Sequence, residues 1–180
     1  MHLTDYLFDK SWTLFLDRDG VINERLIGDY VKNPDEFRFI EGAPGAIATL
    51  SKVFGRILVV TNQQGIGKGL MTLDDLTIVH DLMIAGIEAA GGRIDKIYHS
   101  PQLEAENSPL RKPNTGMALL AQKDFPEIDF NKSVMVGDGL HDMEFGRRMG
   151  MLSIYISDEQ DHKQMADFQY KSLKEFTQHL

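Results

Sequence analysis

Two aspartates, Asp17 and Asp19, follow a short apolar run and stand just before Gly20. Residues i and i+2 of a strand point to the same side, but Gly20 allows a sharp turn, so each carboxylate can take a separate task. One carboxylate can attack phosphorus while its neighbour moves a proton, and a divalent cation between them would offset their repulsion. The alternative interpretation is an Asp-rich turn after a strand, which is common in proteins.

Further polar residues stand at the ends of other apolar runs or directly before a helical pattern. They are Thr61, Lys112, Asp138 and Asp142. Asn62 and Gln63 follow Thr61, and Arg111 precedes Lys112. The carboxyl ends of the strands in a doubly wound parallel sheet meet at one crevice. We therefore expect these side chains to converge there with the two aspartates.

Strand-like and helix-like patterns alternate along the chain. The strand-like runs are short, are rich in Val, Ile and Leu, and fall near 12–17, 56–61, 94–99, 133–137 and 152–156. The helical patterns fall near 43–54, 72–90, 114–125, 140–149 and 170–179. Parallel strands covered on both faces have this composition, and the alternation predicts right-handed crossovers. The sequence therefore predicts an α/β fold with a doubly wound parallel sheet, formed by a single domain over 1–180.

Three segments lie outside this alternation. Residues 20–42 form an irregular stretch that is too short for a cap domain, so we expect loops to cover the crevice. Residues 100–112 form a second loop that contains two prolines and two glutamates. The polar residues 161–163 are interpreted as solvated surface.

Composition and charge limit the classes of function. The chain has 180 residues, of which 42% are hydrophobic, so one substantial core is expected. The net charge of −8 argues against nucleic acid as a partner. No apolar run approaches the roughly 20 residues of a membrane span, and the N-terminal residues lack the pattern of a signal peptide. Cysteine is absent, which excludes disulfides and thiolate metal sites. The expected location is the cytoplasm, with which the lack of cysteine is compatible.

In this order, the polar residues resemble the motifs of the haloacid dehalogenase superfamily. The resemblance rests on Asp17-Arg-Asp-Gly20, Thr61, Lys112 and Gly137-Asp138 with Asp142. Longer blocks resemble the branch of heptose-bisphosphate phosphatases and histidinol-phosphatases, and they cover 15–23, 60–69, 111–117 and 136–143. The resemblance implies a Rossmann-like sheet of order 3-2-1-4-5, with the first aspartate on the central strand and no large cap domain.

The resemblance also implies a role for each residue of the reacting centre. Asp17 would be the nucleophile and form an aspartyl-phosphate, and Asp19 would act as acid and then as base. The Thr61 hydroxyl would donate to a phosphoryl oxygen, and Lys112 would neutralise charge on the transferred group.

The expected cofactor is Mg²⁺, because the carboxylates form an all-oxygen site. Its ligands would be the carboxylates of Asp17 and Asp138 and, by resemblance, the backbone carbonyl of Asp19. Asp142 would support the site by orienting Lys112 or a metal-bound water.

Substrate recognition is expected from Asn62 and Gln63, near the sugar or phosphate, and from Arg111, which suits a second phosphate or a sugar hydroxyl. Similar phosphatases often carry a zinc-binding Cys/His loop where this chain has residues 100–112. The corresponding ligand positions here hold His99, Pro101, Ser108 and Leu110. His99 alone among these could bind zinc. We expect a zinc-free, substrate-side loop, with His99 as a structural or rim residue.

The leading prediction is a Mg²⁺-dependent phosphatase of a small phosphorylated metabolite, for which D-glycero-D-manno-heptose 1,7-bisphosphate matches best. Histidinol phosphate or another sugar phosphate is the enzymatic alternative, although residues 62–69 resemble the heptose type more closely. A phospho-accepting signalling domain is a different class, but such domains lack a counterpart of Asp19. A scaffold that has lost catalysis is the third interpretation, and the retained catalytic residues argue against it. The sequence predicts neither a membrane partner nor a particular oligomeric state.

Overall fold

A parallel β-sheet forms the centre of the protein in the computed structural model, which describes residues 3–158 and 166–180. The segment 161–163, expected at the surface, lies outside these residues. The strands are β1 (Thr13–Leu16), β2 (Arg56–Asn62), β3 (Lys96–Ser100), β4 (Ser133–Gly137), β5 (Leu152–Ile156) and β6 (Phe168–Tyr170). The helices are α1 (Ala43–Val53), α2 (Leu73–Ala89), α3 (Gly116–Asp124), α4 (Leu140–Met149) and α5 (Leu173–Thr177). Of these helices, none is long and apolar enough to cross a membrane.

The strand order is β3-β2-β1-β4-β5-β6, and all neighbouring strands are parallel. The predicted order 3-2-1-4-5 is confirmed, with β6 added beside β5. Leu16 at the end of β1 lies opposite Val59 of β2 and Val136 of β4. The three central strands therefore end near one another, and the residues that follow them share one edge of the sheet.

Alternate side chains of β1 enter hydrophobic clusters on opposite faces of the sheet, as the period of a strand requires. Leu14 and Leu16 belong to the cluster that contains residues of α1, α2 and α5. Phe15 belongs to the second cluster, with residues of α3 and α4. Helices on both faces confirm the predicted doubly wound α/β fold.

Helix α2 begins where the sequence predicts it. The Thr72 hydroxyl accepts a hydrogen bond from the Asp75 N–H (3.1 Å), and the Asp75 carboxylate accepts one from the Thr72 N–H (2.8 Å). This reciprocal capping satisfies two backbone donors that a helix start otherwise leaves unpaired. Val79 and Met83 pack into the core from this helix, so α2 is firmly seated on the sheet.

The predicted helix at 170–179 is wrong at its beginning. Phe168–Tyr170 forms strand β6, and α5 starts only after Ser172, whose hydroxyl accepts from the Glu175 N–H (3.2 Å). Two aromatic residues in three favour a strand, and serine is a preferred residue at the position before a helix. The apolar spacing alone did not separate these two short elements.

Candidate active site

Asp17 lies directly after β1, and its backbone N–H donates to the carbonyl of Val136 in β4 (2.9 Å). Gly20 then adopts a φ of +88°, which L side chains rarely adopt. A Cβ at this position would come within 1.9 Å of Oδ2 of Asp138. The turn therefore requires glycine both for its backbone conformation and for the close approach of Asp138 to the Asp17–Asp19 segment.

Lys112 is buried and joins two carboxylates. Its Nζ donates to Oδ1 of Asp17 (2.8 Å) and to Oδ1 of Asp142 (2.6 Å). Burial acts to lower the pKa of Lys112, but the two carboxylates outweigh it and raise that pKa above its usual value. The Asn62 amide holds the lysine backbone from both sides, because its Nδ2 donates to the Lys112 carbonyl (3.0 Å) and its Oδ1 accepts from the Lys112 N–H (2.9 Å). The ammonium is thus fixed against the proposed nucleophile.

Both carboxylate oxygens of Asp19 accept hydrogen bonds from neighbouring side chains. Its Oδ1 accepts from NH2 of Arg18 (2.9 Å) and from Nδ2 of Asn23 (2.9 Å), and its Oδ2 accepts from Nε2 of Gln63 (2.8 Å). The same Gln63 nitrogen lies 2.9 Å from Oγ1 of Thr61. Burial acts to raise the pKa of Asp19, but the Arg18 charge and these hydrogen bonds outweigh it and hold the pKa below its usual value.

Asp17, Asp138 and Asp142 each bring a carboxylate oxygen within 4.8 Å of the others. Burial, opposed by Lys112 and assisted by the other two carboxylates, raises the pKa of Asp17 to about 7. Burial and the nearby Asp142 raise the pKa of Asp138 to about 6. A divalent cation would relieve this repulsion, and the all-oxygen donors suit Mg²⁺. The Asp142 oxygens already accept from Lys112 and from a backbone N–H, so Asp17 and Asp138 are the carboxylates better placed to bind metal.

A cavity of about 390 Å³ opens over these carboxylates. Beyond the predicted residues it is lined by side chains that include Arg25, Leu26, Asp29, Tyr30, Val31, Gln64, Lys68, Glu104 and His141. Several of these belong to segment 20–42, which therefore covers part of the crevice. Arg25 donates to Oδ2 of Asp138 (3.2 Å), and Nζ of Lys68 lies 5.2 Å from the centre of the Tyr30 ring.

Arg111 lies at this cavity with a mostly buried side chain. Its NH2 is 4.0 Å from a carboxylate oxygen of Glu104, and its NH1 is buried with no hydrogen-bond partner within 3–158 and 166–180. The loop fixes its backbone, because the Arg111 N–H donates to the Ser108 carbonyl (3.0 Å) and the Arg111 carbonyl accepts from the Asn114 N–H (2.8 Å). The guanidinium is therefore held beside the cavity with its donors only partly used by the described residues.

Most of the predicted site residues line the one cavity. They are Asp17, Asp19, Thr61, Asn62, Arg111, Lys112, Asp138 and Asp142. Gln63, expected on the substrate side, is buried at 1% exposure behind Asp19 and is not part of the lining. The Gln63 amide contacts Asp19 and Thr61 instead, and its contact with substrate stays a prediction. Asn62 lines the cavity as expected, but both polar ends of its side chain contact the Lys112 backbone.

Several cavity residues were missed at the level of sequence. Arg25 and Tyr30 lie in the irregular segment 20–42, where no periodicity marks which side chains turn inward. Glu104 lies in a 3₁₀ turn of the second loop. His141 could have been found, because it lies between Asp138 and Asp142 on the first turn of α4, whose start faces the cavity.

His99 is partly buried, at the end of β3 and directly before the loop at 100–112. Its ring lies 6.3 Å from the ring of His80, measured between centroids, and burial together with Arg18 lowers the pKa of His99. The loop itself is held by hydrogen bonds, since Nδ2 of Asn114 donates to Oδ1 of Asn107 (3.0 Å) and to the Ser108 carbonyl (2.9 Å).

Comparisons with known proteins show which family the chain resembles. Residues 109–175 match a family model described as HAD-hydrolase-like. The chain is 36% identical over 172 residues to the D-glycero-alpha-D-manno-heptose-1,7-bisphosphate 7-phosphatase of Campylobacter jejuni. This match covers 92% of this chain and 94% of the relative. The chain is 37% identical over 139 residues to the protein of that name from Mycobacterium bovis, covering 77% of this chain and 73% of the relative.

A solved structure shows the same arrangement of the chain. The crystal structure of D,D-heptose 1,7-bisphosphate phosphatase from B. bronchiseptica, complexed with magnesium and phosphate, is 26% identical and has a TM-score of 0.84. The match covers 93% of this chain and 96% of that chain. Fold and site thus define a hydrolase of the haloacid dehalogenase type that cleaves phosphoric monoesters. The chain belongs to the D,D-heptose 1,7-bisphosphate phosphatase family of that superfamily.

Proposed function

We propose that the protein is a Mg²⁺-dependent phosphatase that removes the 7-phosphate of D-glycero-D-manno-heptose 1,7-bisphosphate. The observation that carries the proposal is that Asp17 and Arg111 line the same cavity, so a bisphosphate can place one phosphate at the aspartate and the other at the guanidinium. A monophosphate needs only the reacting centre, whereas a bisphosphate can use both groups. The names of the Campylobacter and Mycobacterium relatives, and the magnesium and phosphate of the B. bronchiseptica structure, support the choice.

In the first step, Asp17 attacks phosphorus in line with the ester oxygen and forms an aspartyl-phosphate. The phosphorus–oxygen bond to the sugar breaks, and Asp19 gives its proton to the leaving oxygen. Asp19 is ionised before substrate binds, and it takes up a proton from solvent when substrate binds, because a phosphate dianion beside it favours the protonated carboxyl. Lys112 and Thr61 donate to the phosphoryl oxygens, where negative charge gathers in the transition state.

In the second step, water attacks the phosphorus of the aspartyl-phosphate. Asp19, now ionised, takes the proton of that water, the bond to the Asp17 oxygen breaks, and inorganic phosphate leaves. Asp17, Asp138 and the Asp19 carbonyl would hold Mg²⁺. When bound, this ion supplies the positive charge that lets a carboxylate approach an anionic phosphate. Asp142 keeps the Lys112 ammonium in place through both steps.

The proposal is tested with a panel of phosphorylated metabolites assayed for phosphate release with Mg²⁺ and again after chelation by EDTA. We expect heptose 1,7-bisphosphate to give the highest kcat/KM and EDTA to abolish its turnover. A higher kcat/KM for histidinol phosphate would assign the protein to that second candidate. Turnover that is unaffected by EDTA would contradict the metal dependence.

Replacing Arg111 by alanine is expected to raise KM for the bisphosphate and to leave kcat nearly unchanged. A charged hydrogen bond contributes about 1.5–3 kcal/mol, which corresponds to roughly 10- to 150-fold in affinity. A contact that is equal in the ground and transition states changes KM alone. Steady-state kinetics on heptose 1,7-bisphosphate and heptose 7-phosphate measure the effect.

The matched control is Arg56→Ala, at the opposite end of β2, where the guanidinium stacks on Phe125. It should leave both substrates unaffected. Arg111→Ala should leave the monophosphate nearly unchanged. An equal loss on both substrates would remove the second-phosphate role of Arg111.

We also propose that the loop at 100–112 needs no zinc. A structural zinc site uses four thiolate, imidazole or carboxylate ligands, and here Asn114 holds Asn107 and Ser108 by hydrogen bonds. Elemental analysis of protein purified without chelator should show zinc well below one equivalent. A full equivalent that survives dialysis would refute the proposal and point to His99 with Glu104 or Glu106.

A further inference from the structure

Arg18, between the two catalytic aspartates, is fully buried and is not part of the cavity lining. Its NH2 donates to Oδ1 of Asp19 (2.9 Å), and its NH1 lies 3.2 Å from Nε2 of His80 in α2. A guanidinium only donates hydrogen bonds. The Nε2 atom of His80 must therefore accept, so the ring is neutral and carries its proton on Nδ1.

The burial of Arg18 contributes poorly to stability. A buried charge is expensive unless all of its donors are paired, and Nε of Arg18 is buried with no hydrogen-bond partner among the described residues. The guanidinium depends on its contacts with Asp19 and His80. The arrangement of Arg18 is therefore better explained by the groups that it holds in place than by the stability that it adds.

His80 connects this contact to a rigid element. It is buried on α2, beside the core residues Val79 and Met83 and close to the His99 ring. Burial, followed by the charge of Arg18, lowers the pKa of His80 to about 3. The ring is therefore a neutral acceptor throughout the physiological range, and its position is set by the helix.

We propose that Arg18 and His80 are positioning residues for Asp19. His80 fixes the Arg18 guanidinium, and the guanidinium fixes Oδ1 of Asp19, so that the carboxyl stays oriented toward the leaving oxygen of the substrate. Arg18 contacts the acid directly, and His80 acts through Arg18. The inference rests on the proposed mechanism, in which Asp19 protonates the leaving group.

The test compares two leaving groups in two variants of His80. His80→Leu removes the acceptor, and His80→Gln retains an oxygen acceptor. The parameter is kcat/KM, because it covers the steps up to departure of the leaving group. An alkyl phosphate such as heptose 7-phosphate needs a proton from Asp19, whereas p-nitrophenyl phosphate releases a stable phenolate without one. Met83→Leu, a buried change on the same helix, is the matched control.

We expect His80→Leu to lower kcat/KM for the alkyl phosphate about tenfold or more, part of the ~10²–10⁴-fold that acid–base assistance contributes. The value for p-nitrophenyl phosphate should change far less, and His80→Gln should restore most of the alkyl activity. Met83→Leu should not separate the two substrates. An equal loss on both substrates, or no loss in His80→Leu, would overturn the positioning role.

Two further measurements distinguish a variant that does not fold from a wrong inference, and a wrong inference from a wrong proposed function. If His80→Leu does not fold, as judged by thermal unfolding, Arg18→Lys replaces it, because a lysine keeps the charge but cannot bridge Asp19 and His80 in the same way. The same selective loss on the alkyl phosphate is expected, and an unselective loss would overturn the inference. Wild-type protein that hydrolyses neither these two substrates nor heptose 1,7-bisphosphate would contradict the proposed function itself.

Discussion

Asp17→Asn is expected to abolish turnover, with a loss of about 10⁴-fold or more, as is typical when a covalent nucleophile is removed. The amide preserves the shape of the side chain but cannot form the aspartyl-phosphate, and it removes one negative ligand from the metal site. The fold should survive, because burial raises the pKa of Asp17 to about 7 and a neutral amide is easier to bury than that carboxylate. Phosphate release under saturating Mg²⁺ and thermal unfolding measure the two effects.

The matched control is Asp124→Asn. This aspartate pairs with Lys96 and Tyr98 at the surface, outside the cavity, and its replacement should leave turnover unchanged. Mass spectrometry should confirm that the asparagine has not deamidated, since a small fraction of restored aspartate would imitate residual activity. Wild-type-like phosphate release by a verified Asp17→Asn protein would contradict the mechanism.

The centre of the fold could be predicted because burial dictates its pattern. Strand β1 lies between two other strands and under helices on both faces, so its residues are all buried, and after Thr13 they are apolar up to Asp17. The same argument predicts where β2 and β4 end, and it places Thr61 and Asp138 at the carboxyl edge of the sheet. The pattern of apolar and polar residues did not predict that β6 and α5 are separate elements, because both are short and lie at the edge of the sheet.

The residues of the proposed reacting centre could be predicted to meet at one cavity, and for a different reason from the residues around them. Asp17, Lys112 and Asp138 carry chemistry that only certain residue types supply, so type and order along the chain identify them. Gln63 was assigned to the substrate side because sequence gives no measure of burial for a polar residue after a strand. Arg25 was missed because the path of segment 20–42 depends on tertiary contacts, such as the bridge between Asn23 and Phe39, that no local pattern specifies.

Asp19→Asn is expected to lower kcat/KM for an alkyl phosphate by ~10²–10⁴-fold, the usual contribution of general acid–base catalysis. The amide cannot protonate the leaving oxygen, and it cannot take a proton from the hydrolytic water. The local structure can adapt, because the Gln63 amide could rotate and present its Oε1, which is buried without a partner among the described residues, to the new N–H group. The loss should therefore be chemical, with KM much less affected than kcat.

The dependence of kcat/KM on the leaving group tests the role of Asp19 more specifically than the size of the activity loss alone. With p-nitrophenyl phosphate the first step needs no proton, so kcat/KM of Asp19→Asn should fall far less than with heptose 7-phosphate. Asp29→Asn is the matched control, because Asp29 also lines the cavity but pairs with Lys32, and it should not separate the two substrates. A loss below about tenfold on the alkyl phosphate would fall short of acid–base catalysis and assign Asp19 a different role. An equal loss on both substrates would place its contribution in phosphoryl positioning, because proton transfer to the leaving group is the only part of the first step that distinguishes them.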